Sequence, residues 1–277
     1  MAAIPSANRA SPPALRNVVC SIAIGMFAVA GFCASPAHAQ TAEQTSSGMQ
    51  ITVPASAGSQ ASVPASNEDE AQGQLLAQAM QMIKSGQSAD AIAGPIAQVI
   101  AHYENGPGKD HKKRYYCASS QVEMFLYLGL AAQDHQNAVV LPQAWADAYF
   151  EESSALTNLG RIEESRAALV KALALSPMNS LYLSELGYTY EVQHDNEKAL
   201  DYFQQAEDAT NFSPADMKDA ELAHALRGEG YALTELHRLD EAEAMYHKAL
   251  KLDPNDQKSK NELEYIAQLR EKLGSGR

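Results

Sequence analysis

Gly106-Pro107-Gly108-Lys109-Asp110 is the stretch most like a phosphate-binding loop, in which glycine N–H groups cradle an anion and a lysine reaches it. Its glycines are too closely spaced, Asp110 stands where a Ser or Thr hydroxyl is needed, and no strand precedes it. Lys109 to Arg114 is the densest basic run, and a solvated loop is its simplest identity. Two histidines one helical turn apart with a glutamate between them would bring both imidazoles to one zinc, and no such pair occurs. The acid pairs Glu151-Glu152 and Glu163-Glu164 are adjacent, so on a helix they point in different directions and do not converge as acid and base. Cys117 is the one cysteine beyond residue 39, which leaves it no intrachain partner there and makes a buried apolar thiol its ordinary state. These residues predict no enzyme, no metal site and no cofactor.

The 277 residues carry a formal net charge of −13, which repels phosphate backbones and argues against nucleic acid as a partner. Residues 1–39 have the grammar of a cleaved secretory signal: Arg9 and Arg16 without an acid, an apolar run from Val18 to Phe32, and Ala37-His38-Ala39 before Gln40. A retained anchor is the alternative reading, and the run is shorter than the roughly 20 residues of a spanning helix. With two of 21 basic residues and no acid removed, the net charge becomes −15. The expected product is exported, periplasmic in a Gram-negative cell or secreted, with no membrane span after cleavage. Residues 40–66, rich in Ser, Ala and Gln and repeating VPAS, have too little apolar surface to offset the cost of ordering a backbone and read as a flexible tether.

Stepping along the remainder, Ser66-Asn67-Glu68-Asp69 resembles a capping box that opens a helix anchored by Leu75, Met80, Met82 and Ile83 and stopped by Gly86. A second helix over 89–104 contains Gly94-Pro95, which should kink it or delay its start. A third is expected over 113–134, with Met124, Phe125, Leu126 and Leu128 as its apolar anchors, and a fourth opening at Pro142. Sustained period-2 alternation is absent, and Ala138 to Leu141 is too short to decide, so the expected class is all-α.

Ala172, Ala206 and Ala249 stand 34 and then 43 residues apart. The same two intervals separate Leu169, Phe203 and Tyr246, then Gly160, His194 and His237, then Pro177, Asn211 and Pro254. Four columns in one register define three repeats of 34 residues with nine extra before the third. Each repeat is a helix, a short turn and a second helix. Antiparallel helices approach to about 8 Å only where the crossing point lacks bulk. Gly187 and Ala199 supply that point in the second repeat, and Ala206 makes room for the next first helix. The boundaries are an N-terminal helical region at 67–145, repeats at 146–179, 180–213 and 214–256, and a final helix at 257–273 presenting Leu263, Ile266 and Leu269 inward. Ser213 as cap and Pro214 at the first helical position start the third repeat's first helix early, lengthening it by about 13 Å.

Leu186-Gly187-x-x-Tyr190, Ala199-x-x-x-Phe203 and Ala206 resemble the tetratricopeptide repeat, with Leu183 where the family often has Trp. Gly230, Leu233, Ala242, Tyr246, Ala249 and Asp253-Pro254 match in the third repeat, and Ser153, Leu156, Gly160, Ser165, Leu169, Ala172 and Pro177 more loosely in the first. Residues 74–104 are a candidate degenerate unit, although Pro95 replaces the family's aromatic. The resemblance implies a right-handed superhelical solenoid with a C-terminal capping helix. It also implies a concave groove that binds a peptide or helix of another protein. Carried onto this chain, the groove positions are Phe150, Ser154 and Asn158; Ser184, Tyr188 and Glu191; and Arg227, Tyr231 and Glu235. The family's clamp for a C-terminal carboxylate pairs Lys with Asn, and here those places hold Phe150/Ser154 and Ser184/Tyr188, which argues against that ligand. The function expected is a non-catalytic scaffold of the bacterial envelope, the alternative being a non-catalytic subunit of an envelope enzyme or secretion assembly.

Overall fold

The repeated turns are built on left-handed residues. Gly160, His194 and His237 have φ of 71°, 58° and 59°, and Gly86 and His135 at two earlier helix ends have 82° and 53°. At each repeat turn the following N–H reaches back to close the helix, Arg161 to Leu156 O at 2.9 Å, Asp195 to Tyr190 O at 3.0 Å and Arg238 to Leu233 O at 2.9 Å. This bonding satisfies carbonyls that a helix end leaves open. The break column read in the sequence is therefore one backbone conformation used three times, and both histidines adopt it in glycine's place.

The computed structural model describes residues 67–275; the expected signal at 1–39, the tether at 40–66 and the expected cap Ser66 lie outside them. The described residues belong to one unit, Ala61–Arg277. Helix α1 (Asn67–Lys84) is followed by α2 (Ser88–Ala91), a π-helical turn (Ile92–Ile96) and α3 (Ala97–Asn105). Pro95 lies inside that widened turn, which accommodates its missing N–H without ending the helical run. On α1, the expected anchors Leu75, Met82 and Ile83 are partly buried against the core, whereas Met80 is exposed and the buried apolar positions are Leu76 and Ala79.

Residues 113–134 are not one helix. Strand β1 (Arg114–Ala118), helix α4 (Gln121–Gln133) and strand β2 (Ala138–Pro142) form a parallel strand–helix–strand unit, with Tyr116 opposite Val140. Tyr115, Tyr116, Cys117 and Ala118 are all buried, so the strand is a short apolar run without alternation, typical of strands covered on both faces. Ser120 caps α4 by accepting the Glu123 N–H at 3.2 Å, and the Glu123 carboxylate accepts the Ser119 N–H at 2.7 Å. Phe125 and Leu128, expected as anchors, point outward with Val122, while Tyr127 and Ala131 face the sheet side.

The repeats follow as α5 (Ala144–Asn158) with α6 (Ile162–Leu175), α7 (Ser180–Glu191) with α8 (Asn196–Ala209), and α9 (Lys218–Glu235) with α10 (Leu239–Leu252). Pro142 closes β2, and α5 begins two residues after it. Helix α9 begins at Lys218 rather than Pro214. A 3-10 turn (Thr210–Phe212) and a separate turn, in which Pro214 O accepts the Met217 and Lys218 N–H groups, take up part of the insertion. Ser213 donates its hydroxyl to the Glu221 side chain instead of capping the backbone.

The small residues that the spacing placed at the crossing points are all buried. In the first repeat Ser153 and Ser165, both buried, share a hydrogen bond at 2.8 Å. In the second, Gly187 and Ala199 are buried, and in the third Gly230 and Ala242. A Cβ on Gly230 would lie 2.7 Å from the Tyr246 ring, so that aromatic occupies the glycine's missing side chain. Between repeats, Arg166 lies 4.0 Å over the Tyr190 ring and donates to Thr189 O at 2.8 Å, fixing α6 against α7. Helix α11 (Gln257–Ser275) packs on α10, with Ile266 1% exposed and Leu263 against the same cluster.

The loop that resembled a phosphate cradle has a packing role. Gly108 N–H donates to Tyr103 O at 2.8 Å, and a Cβ there would lie 2.4 Å from the Trp145 ring, which itself stacks on Tyr103. Glycine is needed because an indole fills the place of a side chain.

Candidate protein-binding cleft

Glu185, Tyr188 and Glu191 recur three residues apart on α7, and His224, Arg227 and Tyr231 recur at three and four on α9; each set therefore shares one face of its helix. What holds the two faces apart is Phe203 of α8. Its ring rests on both first helices, so that a Cβ at Gly187 would lie 3.1 Å from it and one at Gly228 only 2.3 Å. The result is a cleft of about 590 Å³ with Phe203 and Tyr246 at its base, α7 and α9 as walls, and Lys258 and Glu262 of α11 at one side. That volume lies within the range of recognition pockets, about 300–1,000 Å³.

The cleft is rich in carboxylates. Burial, together with the charges of Glu235, Glu262 and Glu185, pushes the Glu191 carboxyl up to about 7. Burial raises Glu185, and burial followed by the Glu235 charge raises Glu262. Basic side chains share the lining. His224 approaches Glu185 at 3.9 Å, and burial, then Arg227 and Lys258, hold its imidazole below the usual value. Arg227 pairs with Asp256 at 3.3 Å. Burial opposes ionisation of Asp256, but the Ser259 hydroxyl, Arg227 and backbone N–H groups outweigh it and hold the carboxyl low.

Of the nine expected groove residues, Tyr188, Glu191, Arg227 and Tyr231 line this cleft. Glu235 stands one turn beyond Tyr231, and its charge acts on both Glu191 and Tyr231. Ser184 is 1% exposed and faces the interior, since α7 rotates it away from the opening. The first repeat's three positions do not line the cleft. Phe150 stacks on Tyr182 with ring centroids 5.1 Å apart, Ser154 donates to Phe150 O at 3.2 Å, and Asn158 is exposed at the end of α5. Sequence reasoning missed Glu185, His224, Gly228 and Glu262. Glu262 was accessible in principle, since it lies four residues before the buried Ile266, on a neighbouring helical position. Among the described residues, no group of three or more His, Cys, Asp or Glu side chains is placed to hold a metal ion.

Models of the tetratricopeptide repeat match residues 150–214 and 223–256. The chain thus carries tetratricopeptide repeats, arranged as a helical solenoid. Among solved structures, the second such domain of human RPAP3, in complex with an HSP70 peptide, is 21% identical with a TM-score of 0.38, over 44% of this chain and 94% of that one. The Sgt2 domain from Aspergillus fumigatus is 20% identical, with a TM-score of 0.40 over 47% and 82%. MamA from Desulfovibrio magneticus RS-1 is 14% identical, with a TM-score of 0.47 over 72% and 85%. No curated protein matches the chain.

Proposed function

We propose that this chain is a non-catalytic scaffold of the bacterial cell envelope that holds a peptide or helix of another protein in the cleft between α7 and α9. Tetratricopeptide-repeat proteins generally act as protein–protein interaction scaffolds. The observation that carries the reading here is the opening itself: two tyrosines on facing helices stand over a floor of buried aromatic rings. Tyrosine supplies large, stiff contact area with a polar tip and dominates interface energies out of proportion to its frequency. The envelope location rests on the signal-like segment at 1–39. A photo-reactive residue at 188 or 231 should capture a partner protein in cells, while one at the exposed Glu197 of α8 should not. Equal capture from all three positions removes the support for the cleft.

A further inference from the structure

We propose that the cleft selects a cationic segment, a Lys or Arg side chain entering between Tyr188 and Tyr231 with its charge met by Glu185, Glu191, Glu235 and Glu262. This rests on the cleft being the partner site.

The walls supply negative charge that the fold leaves uncompensated. Among the described residues, Glu191, Glu235 and Glu262 form no ion pair; of the Arg and Lys side chains in the lining, Arg227 is committed to Asp256 at 3.3 Å, and Lys258, four residues before Glu262, forms no ion pair with any of the three, so that only burial and neighbouring carboxylates act on Glu191 and Glu262. Carboxylates crowded in a partly desolvated cleft repel one another, and Glu191 registers that repulsion from three neighbours. A guest ammonium or guanidinium would relieve it, and the low-dielectric setting strengthens the attraction. The tyrosine rings add a second recognition element, since aromatic faces attract cations. Tyr246 gives a third. It is 1% exposed at the base of the cleft, its hydroxyl has no hydrogen-bond partner among the described residues, and the Thr234 hydroxyl beside it donates instead to Gly230 O at 2.8 Å. An acidic or C-terminal carboxylate guest would meet like charge on both walls.

A random dodecapeptide library displayed on phage and panned on the full chain tests this. The expected result is enrichment of sequences with Lys or Arg flanked by apolar residues. In fluorescence anisotropy, the best enriched peptide should bind about tenfold more weakly when its central Lys or Arg becomes Gln, or when the protein carries Glu191→Gln with Glu262→Gln. The charge-reversed pair Glu191→Lys with Glu262→Lys should enrich acidic sequences instead. Circular dichroism melts establish that each variant is folded, and removing mutually repelling carboxylates should not lower them. If the parent chain enriches neutral or acidic sequences that Tyr188→Ala with Tyr231→Ala abolishes, the charge inference is overturned and the cleft reading stands. If nothing enriched depends on the tyrosines, both fall.

Discussion

A methyl group at Gly228 would sit 2.3 Å from the Phe203 ring, and one at Gly187 would sit 3.1 Å from the same ring. The first distance demands that a buried ring or a helix move; the second asks for a few tenths of an ångström. Alanine also gains about 1 kcal/mol of helix propensity over glycine, which opposes either penalty. Gly228→Ala is therefore expected to lower unfolding free energy by about 1–3 kcal/mol, and Gly187→Ala to change it by less than about 1 kcal/mol, as measured by urea titration. Equal effects would mean that Phe203 does not discriminate between the helices as described. Only one of these glycines could be found by comparing repeats. Gly187 recurs at Gly230, 43 residues on, whereas the positions equivalent to Gly228 hold Glu185 and Glu151, so it answers to one neighbour and follows no column.

Helix α4 and its strands show why parts of the fold escaped the sequence. The repeats announce themselves through a period, and their turns, crossing points and final helix could be placed from it. Strands β1 and β2 are five residues each, apolar without alternation, and joined by a crossover rather than a hairpin, so neither period nor turn chemistry marks them. The outward face of α4 misled for the same reason: apolar side chains occur on both of its sides. Phe125 is 67% exposed and Tyr127 is fully buried against Tyr116, so Phe125→Ser should alter stability by no more than about 0.5 kcal/mol while Tyr127→Ala costs about 3–5 kcal/mol in thermal or urea unfolding. At the other end, Ile266 of α11 covers the cluster containing Ala242 and Tyr246. Ending the chain after Asp256 should lower the melting temperature and raise binding of an apolar dye, because the last repeat loses its cover. An unchanged melt would show α11 to be an appendage.

At the scale of the molecule, several buried acids have the same sign of shift. Burial raises Asp147 to about 6 and, with the Asp147 charge, Glu151 to about 7; Glu191 also lies near 7. Glu229, buried on α9, is raised by burial and then by the Glu207 carboxyl beside it. A carboxyl whose folded value exceeds its unfolded one binds more protons when native, so stability is greatest below the unfolded value and declines as pH climbs through the folded value. Melting temperature should accordingly fall between about pH 5 and pH 8, and Glu229→Gln should flatten that slope, gaining about 1–2 kcal/mol at alkaline pH. A flat or rising profile for the parent chain would contradict the shifts. Phe203, finally, is at once wedge between two walls and ground beneath the proposed site, so trimming it would remove the cleft together with the packing that opens it. Mutational scans of this protein can be read as maps of recognition only along the rim; at the base, lost capture and lost folding are one event.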